Sequence, residues 1–452
     1  MAAHRAAAAQ LRSRLARFPQ GERVRLGKPT SNLFRFGGSG VRLDAGGLDQ
    51  VISVDPGSRT AFVQGLTTYE RLVGATLEHG LMPLVVPQLK TITVGGAVAG
   101  LGIESSSFRH GLAHESVLEA EVLTGDGRLV TATADNEHSE LFRALPNSYG
   151  TLGYAVGFRI QLQPVGRYVA LRHVRFDDAA SAAGAITAIC ATGEYEGERV
   201  DFCDGTVFDA DEQYLTLGRF TDDIPPGSGP SDYTGREIYY RSIRRRRTDL
   251  LTIHDYLWRW DTDWFWCSRA LGAQHPLLRP LWPRRYRRSD VYRRVVALDR
   301  RCGFSARLRR AMGLPPEEPV IQDIEVPVER LPEFLDVFHR EIGISPIWLC
   351  PVRLRDPAGW SLYPMDPARL YVNVGFWSAV ALRDGQRTGD HNRRIEQLVA
   401  QLEGHKSLYS DSYYSESEFW GYYNGERYGA AKQAYDPDGR LPDLYGKCVR
   451  GV

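Results

Sequence analysis

The sequence predicts an α+β protein with two or three domains. The chain has 452 residues, and a domain usually holds roughly 100–200 of them. Its composition, 43% hydrophobic and 25% charged, is that of a globular protein. Short apolar runs bounded by Gly, Pro and Asp alternate with segments of helical spacing along the whole chain. These three observations exclude a disordered or fibrous chain and favour separate domains that mix strands and helices.

The first 19 residues form an Ala- and Arg-rich segment without a continuous apolar stretch. This pattern predicts a short amphipathic helix rather than a secretory signal. Residues 20–165 are expected to form the first domain. Its predicted strands lie at 51–55, 60–65, 117–133 and 154–165, the third being a hairpin that turns at 125–127. Its predicted helices lie at 67–80 and 134–145, and Gly80 is a plausible C-cap for the first of them.

Residues 166–405 are expected to form a second, α/β domain, and 406–452 a C-terminal segment. The predicted strands of this domain lie at 169–176, 200–208, 214–220, 322–328, 346–354 and 369–377. Its predicted helices begin near residue 177, at 331 and at 393. A Pro-, Gly- and Ser-rich stretch at 222–233 reads as a loop. We find no internal repeat.

The balance of residue types excludes several classes of function. The 56 basic residues are matched by 55 acidic ones, so no overall positive field favours nucleic acid. The six cysteines lie far apart and show no metal-ligand spacing, so we expect neither a metal site nor a disulfide framework. No run of 18 apolar residues occurs, and reduced thiols suit a cytoplasmic location.

The most informative stretch is the Gly-rich segment 91–111. Its four glycines, Gly95, Gly96, Gly100 and Gly102, leave the backbone bare. Exposed N–H groups in such a loop can hold phosphate oxygens, and Ser105 and Ser106 add hydroxyl donors. The alternative is a tightly packed turn without a ligand. The segment is not a Rossmann fingerprint, since no strand directly precedes it and no acidic residue follows at the required distance.

Neighbouring motifs favour the ligand-binding interpretation. A second small and polar turn occupies 27–35, the sequence PLVVP occupies 83–87, and Gly-Thr-Leu-Gly-Tyr occupies 150–154. Together these resemble the two-subdomain, PCMH-type FAD-binding domain of the p-cresol methylhydroxylase and vanillyl-alcohol oxidase superfamily. The resemblance implies a set of cofactor contacts: Lys28, Thr30, Ser31, Asn32, Thr93, Val94, Gly95, Gly96, Gly100, Gly102, Ile103, Glu104, Ser105, Ser106, His110, Gly150, Thr151 and Gly153. Because the turn at 27–35 contains no His or Cys, we predict non-covalent FAD.

Further segments resemble the sterol side-chain reductase family, which includes 24-dehydrocholesterol reductase and plant Diminuto/Dwarf. They are GGAVAGLGIESSSFRHGL, SELFRALPNSYGTLG, PIWLCP, LYSDSYYSESEFW and LPDLYGKCV, in this order from residue 95 to 449. The sequence is similar to actinobacterial reductases of 10-methylene-stearoyl lipids as well, and its preference for Arg over Lys suits a GC-rich bacterial genome. We expect no counterpart of the N-terminal membrane anchor of the sterol reductases in this sequence.

Both resemblances imply reduction of an isolated C=C bond in a lipid, with NADPH or NADH as electron donor. The implied partners are a lipid substrate and, for the 10-methylene route, a lipid methyltransferase that acts upstream. The alternative within the same superfamily is an FAD-dependent oxidase or dehydrogenase of an alcohol or a sugar lactone. A binding protein without turnover is a third class.

An isolated alkene accepts hydride only if a proton is added to it, so the protein must supply an acid, a dry pocket and aromatic faces. The segment 253–266 combines acids with four tryptophans, and His254, Asp255 and Tyr256 are candidate proton donors. Tyr409, Asp411 and Tyr413, in the C-terminal segment, form the second group of candidates. The alternatives are an ordinary aromatic core for the first segment and hydrogen-bonded structural tyrosines for the second.

Arginines cluster at 241–247 and at 284–288, next to Trp282. Such a run is usually a solvated face, but Arg beside Trp also suits an anionic lipid headgroup layer. We therefore expect that residues 240–290 contact a membrane peripherally, at its inner face.

Overall fold

The computed structural model describes residues 1–19, 21–28, 34, 40–224 and 229–451. It confirms the α+β class: two large antiparallel sheets each pack against helices. The chain leaves the first sheet at Pro164 and enters the second at Tyr168. The Gly-rich segment and the second sheet therefore belong to different layers of the molecule, and the functional site must be sought where these layers meet.

The first sheet is built from hairpins, as the alternating pattern of its strands predicts. In spatial order its strands are Val51–Asp55, Thr60–Gln64, Gly153–Pro164, Val117–Thr124 and Leu129–Ala132, and Leu81–Pro83 also pairs with Gly153–Pro164. The predicted hairpin turn is confirmed, with Gly127 at φ 87°. A separate parallel pair joins Val24–Gly27 to Val41–Asp44.

The helices that accompany the first sheet begin with the predicted amphipathic one. They are Ala2–Ala16, Tyr69–Leu77, Val94–Ala99, Ser107–His110 and Ser139–Ala144, with a 3₁₀ turn at Ala113–Ser116. The prediction of a helix over 134–145 was wrong at its start. The side chain of Asn136 accepts hydrogen bonds from the backbone N–H groups of Thr133 and His138, which forms a turn that delays the helix to Ser139.

The second sheet has eight strands, and helices cover one of its faces. In spatial order the strands are Thr248–Thr252, Tyr168–Phe176, Glu212–Thr221, Phe202–Asp209, Ile347–Val352, Tyr371–Ala381, Glu317–Pro327 and His405–Lys406. A small hairpin joins Glu194–Tyr195 to Glu198–Arg199. The covering helices are Ala179–Thr192, Leu331–Glu341 and Asp390–Gln401. Alternate residues such as Val320, Ile324 and Val374 face these helices in one apolar core, so the residues between them face the first domain.

The remaining helices are short and lie in the long connection between the strands and at the C-terminal end. They are Tyr239–Ser242, Ile253–Leu257, Ser289–Cys302, Phe304–Ala311, Glu416–Tyr422 and Gly425–Tyr435, with 3₁₀ turns at Cys267–Leu271, Arg279–Leu281, Arg284–Tyr286 and Val328–Arg330 and a π turn at Gly446–Arg450. Among the described residues no helix is both long and apolar enough to cross a membrane.

Candidate functional site

The Gly-rich segment forms a short helix, Val94–Ala99, followed by a tight turn. The Thr93 side chain caps the helix by accepting a hydrogen bond from the N–H of Gly96 at 3.1 Å. Gly95 donates its N–H to the Gly65 carbonyl at 2.8 Å, and a Cβ at this position would lie 2.7 Å from that oxygen. Gly95 therefore serves a close backbone approach. The first three amides of the helix, those of Val94, Gly95 and Gly96, already donate hydrogen bonds within the fold.

A cleft opens between this segment and the second sheet. Its empty space, part of it open to solvent, is about 1010 Å³. The lining residues come from the Gly-rich segment and its approach, from two loops, from the second sheet and from the C-terminal segment: Lys28, Phe34, Pro87, Gln88, Leu89, Thr91, Ile92, Thr93, Gly96, Ala97, Gly100, Leu101, Gly102, Ile103, Tyr149, Trp264, Phe265, Asp323, Glu325, Trp348, Asn373, Trp377, Ser407 and Tyr409. Every layer of the molecule thus contributes to one cavity.

Backbone strain is concentrated at this cleft. Four of its lining residues, Leu101, Tyr149, Trp264 and Phe265, have φ between 48° and 61°. Bulky residues rarely adopt this left-handed conformation, which costs of order 1–3 kcal/mol for each residue. Trp264 and Phe265 adopt it consecutively. Strain of this kind persists where the surroundings fix the backbone, and it is typical of functional sites.

The floor of the cleft is the face of the second sheet that no helix covers. Asp323 and Glu325 alternate on the strand Glu317–Pro327, so both side chains point to this face. In the neighbouring strand, Glu325 pairs with Asn373 and Asp323 pairs with Gly375. A Cβ on Gly375 would lie 2.5 Å from Asp323 Oδ1, so this glycine leaves room for the carboxyl group.

The two carboxyl groups share an environment that favours their protonated forms. Glu325 accepts hydrogen bonds from the Tyr363 hydroxyl and from Asn373 Nδ2 at 2.9 Å, yet burial raises the pKa of Glu325 to about 7. Burial also raises the pKa of Asp323 to about 8, with a further contribution from the charge of Glu325, while hydrogen bonding from Tyr409 opposes it. At neutral pH the cleft therefore holds a carboxyl group that can donate a proton.

Aromatic rings form the walls above these acids. The Phe265 ring lies 4.4 Å from Trp377 and 5.7 Å from Trp348, measured between ring centroids. Phe34 stacks on Trp264 at 5.9 Å. Trp377 donates its Nε1–H to the Tyr409 hydroxyl at 2.8 Å. The walls thus present apolar, electron-rich faces to whatever occupies the cleft.

A buried ionic network supports the wall from behind. Arg259, whose side chain is 0% exposed, donates to Glu104 at 3.0 Å and to Asp204 at 2.9 Å. Trp348, a wall residue, also donates its indole N–H to Asp204, at 3.1 Å. Burial raises the pKa of Glu104, and the Arg259 charge opposes this shift. The network connects the Gly-rich segment, the second sheet and the tryptophan-rich segment, so it fixes the position of the wall.

The residues present fit an FAD group. Four cleft residues carry buried polar atoms without a hydrogen-bond partner: Gln88 Nε2, Thr91 Oγ1, Asp323 Oδ1 and Asn373 Oδ1. Buried polar groups are normally paired, so these atoms indicate a polar ligand. The bare backbone at Gly96, Gly100 and Gly102 borders the same cavity, and Lys28 adds a cation beside Gly96, as an anionic pyrophosphate requires.

The structure places the predicted cofactor residues in different surroundings. Lys28, Thr93, Gly96, Gly100, Gly102 and Ile103 line the cleft, whereas Thr30, Ser31 and Asn32 lie outside the described residues. Gly150, Thr151 and Gly153 follow the wall residue Tyr149, and the Thr151 carbonyl accepts a hydrogen bond from Lys432 at 2.8 Å. Their roles toward the cofactor stay predictions.

The other predicted cofactor residues serve the fold. Val94 is buried. Glu104 and Ser105 join the network at Arg259, and Ser106 donates to the Leu84 carbonyl at 2.8 Å. His110 bonds to Gln163 at 3.1 Å, and burial, with a smaller contribution from Arg109, lowers its pKa to about 4. These residues are not among the described residues that line the cleft, and their roles toward the cofactor stay predictions.

Of the predicted proton-donor candidates, Tyr409 lines the cleft, whereas His254, Asp255, Tyr256, Asp411 and Tyr413 are not among the described residues that line it. His254 is 60% exposed and lies beside Asp255. Tyr256 is buried under Arg259, and its hydroxyl pairs with Ser105 at 2.7 Å. The Asp411 carbonyl accepts a hydrogen bond from Lys406 at 2.6 Å. Tyr413 donates its backbone N–H to the Glu396 carboxylate, at 3.1 Å to each oxygen.

The structure also brings Asp323, Glu325 and Trp377 to the cleft, beside Tyr409 of the predicted C-terminal cluster, and sequence reasoning did not select these three as site residues. The strand that carries the two acids was predicted as QDIEVPV, in which acidic and apolar residues alternate. The sequence signal that could have indicated the site is the spacing of Asp323 and Glu325, which places both acids on one face of a predicted strand. The same pattern is typical of a solvent-facing strand, and so it pointed to no site.

Comparison with known proteins agrees with this geometry. The profile of a family described as an FAD binding domain matches residues 14–133. Delta(24)-sterol reductase of Rattus norvegicus is 28% identical over 418 residues, which cover 90% of this chain and 77% of that protein. Delta(24)-sterol reductase of Arabidopsis thaliana is 27% identical over 437 residues, with 90% and 76% covered. Cytokinin dehydrogenase 6 of Oryza sativa is 36% identical over 138 residues, 30% of this chain.

These comparisons confirm the predicted resemblance and the predicted FAD-binding domain. The similarity to the sterol reductases extends over both sheets, since it covers nine-tenths of the chain. The similarity to the cytokinin dehydrogenase covers less than a third of the chain.

Among the described residues no group of His, Cys, Asp and Glu is arranged to hold a metal ion.

Proposed function

We propose, for this flavin-dependent oxidoreductase, that it reduces an isolated C=C bond in a lipid, with NADPH or NADH as the electron donor. In the overall reaction the alkene gains one proton and one hydride, and the nicotinamide loses the hydride. Bound FAD would carry the hydride between the two. Lys28, the bare backbone at Gly96, Gly100 and Gly102, and Gln88 would hold the cofactor in the cleft.

One observation carries this proposal: a carboxyl group that is protonated at neutral pH lies in a cavity with aromatic walls. The pKa of Asp323 is raised to about 8, and Trp348, Trp377 and Phe265 border the same space. An unconjugated alkene offers no carbonyl to take up charge, so a proton must reach one carbon as hydride reaches the other. The acid and the aromatic walls match these two requirements.

Each cleft residue then has a separate task. Asp323 holds the proton that is transferred to the alkene. Glu325 raises the pKa of Asp323 through its charge, and Tyr363 and Asn373 fix its orientation. The aromatic faces stabilise the tertiary cation character that develops on the substituted carbon. The apolar walls also exclude water, which would otherwise compete for that carbon.

The alternative, an oxidase or dehydrogenase of an alcohol or sugar lactone, needs a base at this position. A carboxyl group with a pKa of about 8 is mostly protonated at pH 7 and is a poor base there. The environment of Asp323 therefore favours the reductive direction.

The proposed substrate class is a long apolar molecule whose alkene yields a tertiary centre on protonation. The side chain of a Delta(24) sterol and a 10-methylene acyl chain both meet this condition. For the acyl chain, the preceding reaction must be a methyl transfer to an unsaturated lipid, and the enzyme that supplies it is the proposed upstream partner.

The test is turnover of the FAD-loaded chain with each lipid under anaerobic conditions, with NADPH or NADH, followed by mass spectrometry. The expected product has gained two hydrogen atoms, and in D₂O one of them is deuterium, because Asp323 exchanges its proton with solvent. Asp323→Asn is expected to lower turnover by roughly 10²–10⁴-fold. The matched control is Asp384→Asn, at an exposed position, and it should leave turnover unchanged. Product without solvent deuterium, or full activity of Asp323→Asn, would contradict the assignment.

A further inference from the structure

The segment 277–314 carries most of the exposed large hydrophobic residues of the described chain. Fourteen large hydrophobic residues are exposed among the described residues, and nine of them lie in this segment of 38 residues. Leu277 and Leu281 are 76% and 77% exposed, and Met312 is 64% exposed. Scattered exposed leucines are ordinary, whereas a concentration of this kind marks an interaction surface.

The same segment has an unusual charge. It contains twelve Arg and two Asp, a formal charge of +10, in a chain whose net charge is +1. The rest of the chain therefore carries −9. Six of these arginines are exposed: Arg284, Arg285, Arg294, Arg301, Arg307 and Arg310. Apolar side chains interspersed with exposed cations are complementary to a lipid bilayer, which has an apolar interior and can carry anionic headgroups at its surface.

Arginines that point into the protein tie the loop of this surface to the rest of the fold. Arg279 is turned inward and pairs with the buried Asp263 at 2.6 Å. Arg287 donates to the carbonyls of Gly235 and Arg279 at 2.6 and 2.5 Å. Two inward arginines thus anchor the loop that presents Leu277, Leu278 and Leu281 outward. The exposure of these leucines is fixed by the protein around them.

Two helices continue the surface. In Ser289–Cys302 one face is held by the buried Tyr292, while Leu298 on another face is 61% exposed. In Phe304–Ala311 the described side chains are all exposed or half-buried. Leu308 and Met312 are four residues apart, so they lie on one face. A helix with one apolar side, arginines on the other side and little protein beneath it is typical of a segment that lies in a lipid interface.

The surface is also connected to the cleft. Ser289 donates its hydroxyl to Asp261 at 2.6 Å, and the Tyr292 hydroxyl donates to the Thr262 carbonyl at 3.2 Å. Asp261 and Thr262 belong to the same turn as the strained wall residue Trp264. Contacts of the segment thus reach the wall of the cleft within a few residues.

We propose that residues 277–314 dock the protein on an anionic lipid bilayer, with Leu277, Leu278, Leu281, Leu298, Leu308 and Met312 in the interface and the exposed arginines at the headgroups. This surface shares residues 277–290 with the membrane contact expected at 240–290 and leaves out the first arginine cluster, where Arg244 pairs with Glu212 and Arg246 with Glu237 and Asp249. The docking goes beyond the proposed reaction and does not depend on which alkene is reduced.

The test is co-sedimentation of the FAD-loaded full chain with vesicles of phosphatidylglycerol and phosphatidylcholine in equal amounts. We expect binding to these vesicles and at least tenfold weaker binding to pure phosphatidylcholine. Leu281→Ser with Leu298→Ser should weaken binding by about tenfold or more, because replacing each leucine removes several carbon groups that would be buried in the lipid interface. The matched control is Leu118→Ser, at an exposed leucine of the first sheet, and it should bind as the unchanged chain does.

Three outcomes would overturn the proposal. The unchanged chain could stay in the supernatant with anionic vesicles, or the double variant could bind as well as the control. The unchanged chain could also be a dimer in light scattering that Leu281→Ser with Leu298→Ser converts to a monomer, which would make this surface an interface between two copies. Turnover of detergent-dispersed lipid is measured in parallel. If the double variant loses docking and keeps full turnover, the surface acts in docking and not in the reaction. If the unchanged chain docks without turnover, the proposed reaction is wrong and the docking proposal stands.

Discussion

Turnover at the cleft should depend on pH through the protonation of Asp323. With a pKa of about 8, about nine-tenths of this carboxyl group is protonated at pH 7 and about one-tenth at pH 9. If Asp323 is the proton donor, the rate of alkene reduction should fall about tenfold between these two pH values. It should level off below about pH 7, where protonation is nearly complete.

The assay is a single-turnover measurement in stopped flow, without oxygen, in which prereduced FAD-loaded protein is mixed with dispersed lipid. Flavin absorbance then reports only the step that needs the acid. This design separates proton donation from the reaction with the nicotinamide, which has its own pH dependence. The absorbance of the oxidised protein, recorded at each pH first, controls for loss of the cofactor.

A second variant makes the test sharper. The charge of Glu325 is one of the causes that raise the pKa of Asp323. Glu325→Gln removes that charge, so the fall in rate should begin at lower pH while the limiting rate below pH 6 is largely kept. Asp323→Asn should remove the fall altogether and leave a slow rate that does not vary with pH. A flat profile for the unchanged chain, or an unshifted one for Glu325→Gln, would refute the reasoning.

Three further predictions concern stability and packing. Arg259→Met should destabilise the fold by about 3–5 kcal/mol in urea unfolding, because it leaves Glu104 and Asp204 buried without a countercharge, whereas Arg244→Met, at an exposed pair, should cost less than about 1 kcal/mol. Gly375→Ala should displace the Asp323 carboxyl group, lower the free energy of unfolding by roughly 1–3 kcal/mol and reduce turnover. The control Gly421→Ala, in a helix with open space around it, should leave the free energy of unfolding unchanged or raise it by up to about 1 kcal/mol. The raised pKa of Asp323 means that the folded state keeps a proton that the unfolded chain releases above about pH 4. The free energy of unfolding therefore falls as pH rises toward 8. Asp323→Asn should stabilise the protein at pH 8 by about 2–4 kcal/mol in thermal or urea unfolding, and should not stabilise it at pH 4. Equal stability of the two proteins at pH 8 would contradict a buried, proton-holding carboxyl group.

The sequence was sufficient for the features that depend on local pattern. Alternation predicted the main strands, and the bare glycines at Gly96, Gly100 and Gly102 indicated a ligand loop that the structure places at the cleft. The exact start of the helix at Ser139 was missed, because the side chain of Asn136 competes with the backbone for hydrogen bonds.

The acids of the cleft could not be recognised from local pattern. Asp323 and Glu325 become significant only because the second sheet turns one face to the first domain, a long-range fact. Arg259 meets Glu104 across 155 positions of the sequence, so nothing near either residue announces the pair. The tryptophan-rich segment was read as either core or pocket wall. Trp260 lies in the core and Trp264 lines the cleft. The left-handed backbone at Trp264 and Phe265, which distinguishes the two positions, cannot be predicted from amino-acid composition.

Phe34, which stacks on a wall tryptophan, also donates its backbone N–H to the Tyr409 carbonyl at 2.9 Å. A similar bond joins Val24 to the carbonyl of Arg440 at 2.8 Å. Residues from the two ends of the polypeptide must therefore meet before the cavity exists, and closing so long a loop is slow. During synthesis the first domain leaves the ribosome well before residue 409 emerges, so a nascent chain has no finished cleft. Chemical competence is thus postponed to the last stage of assembly.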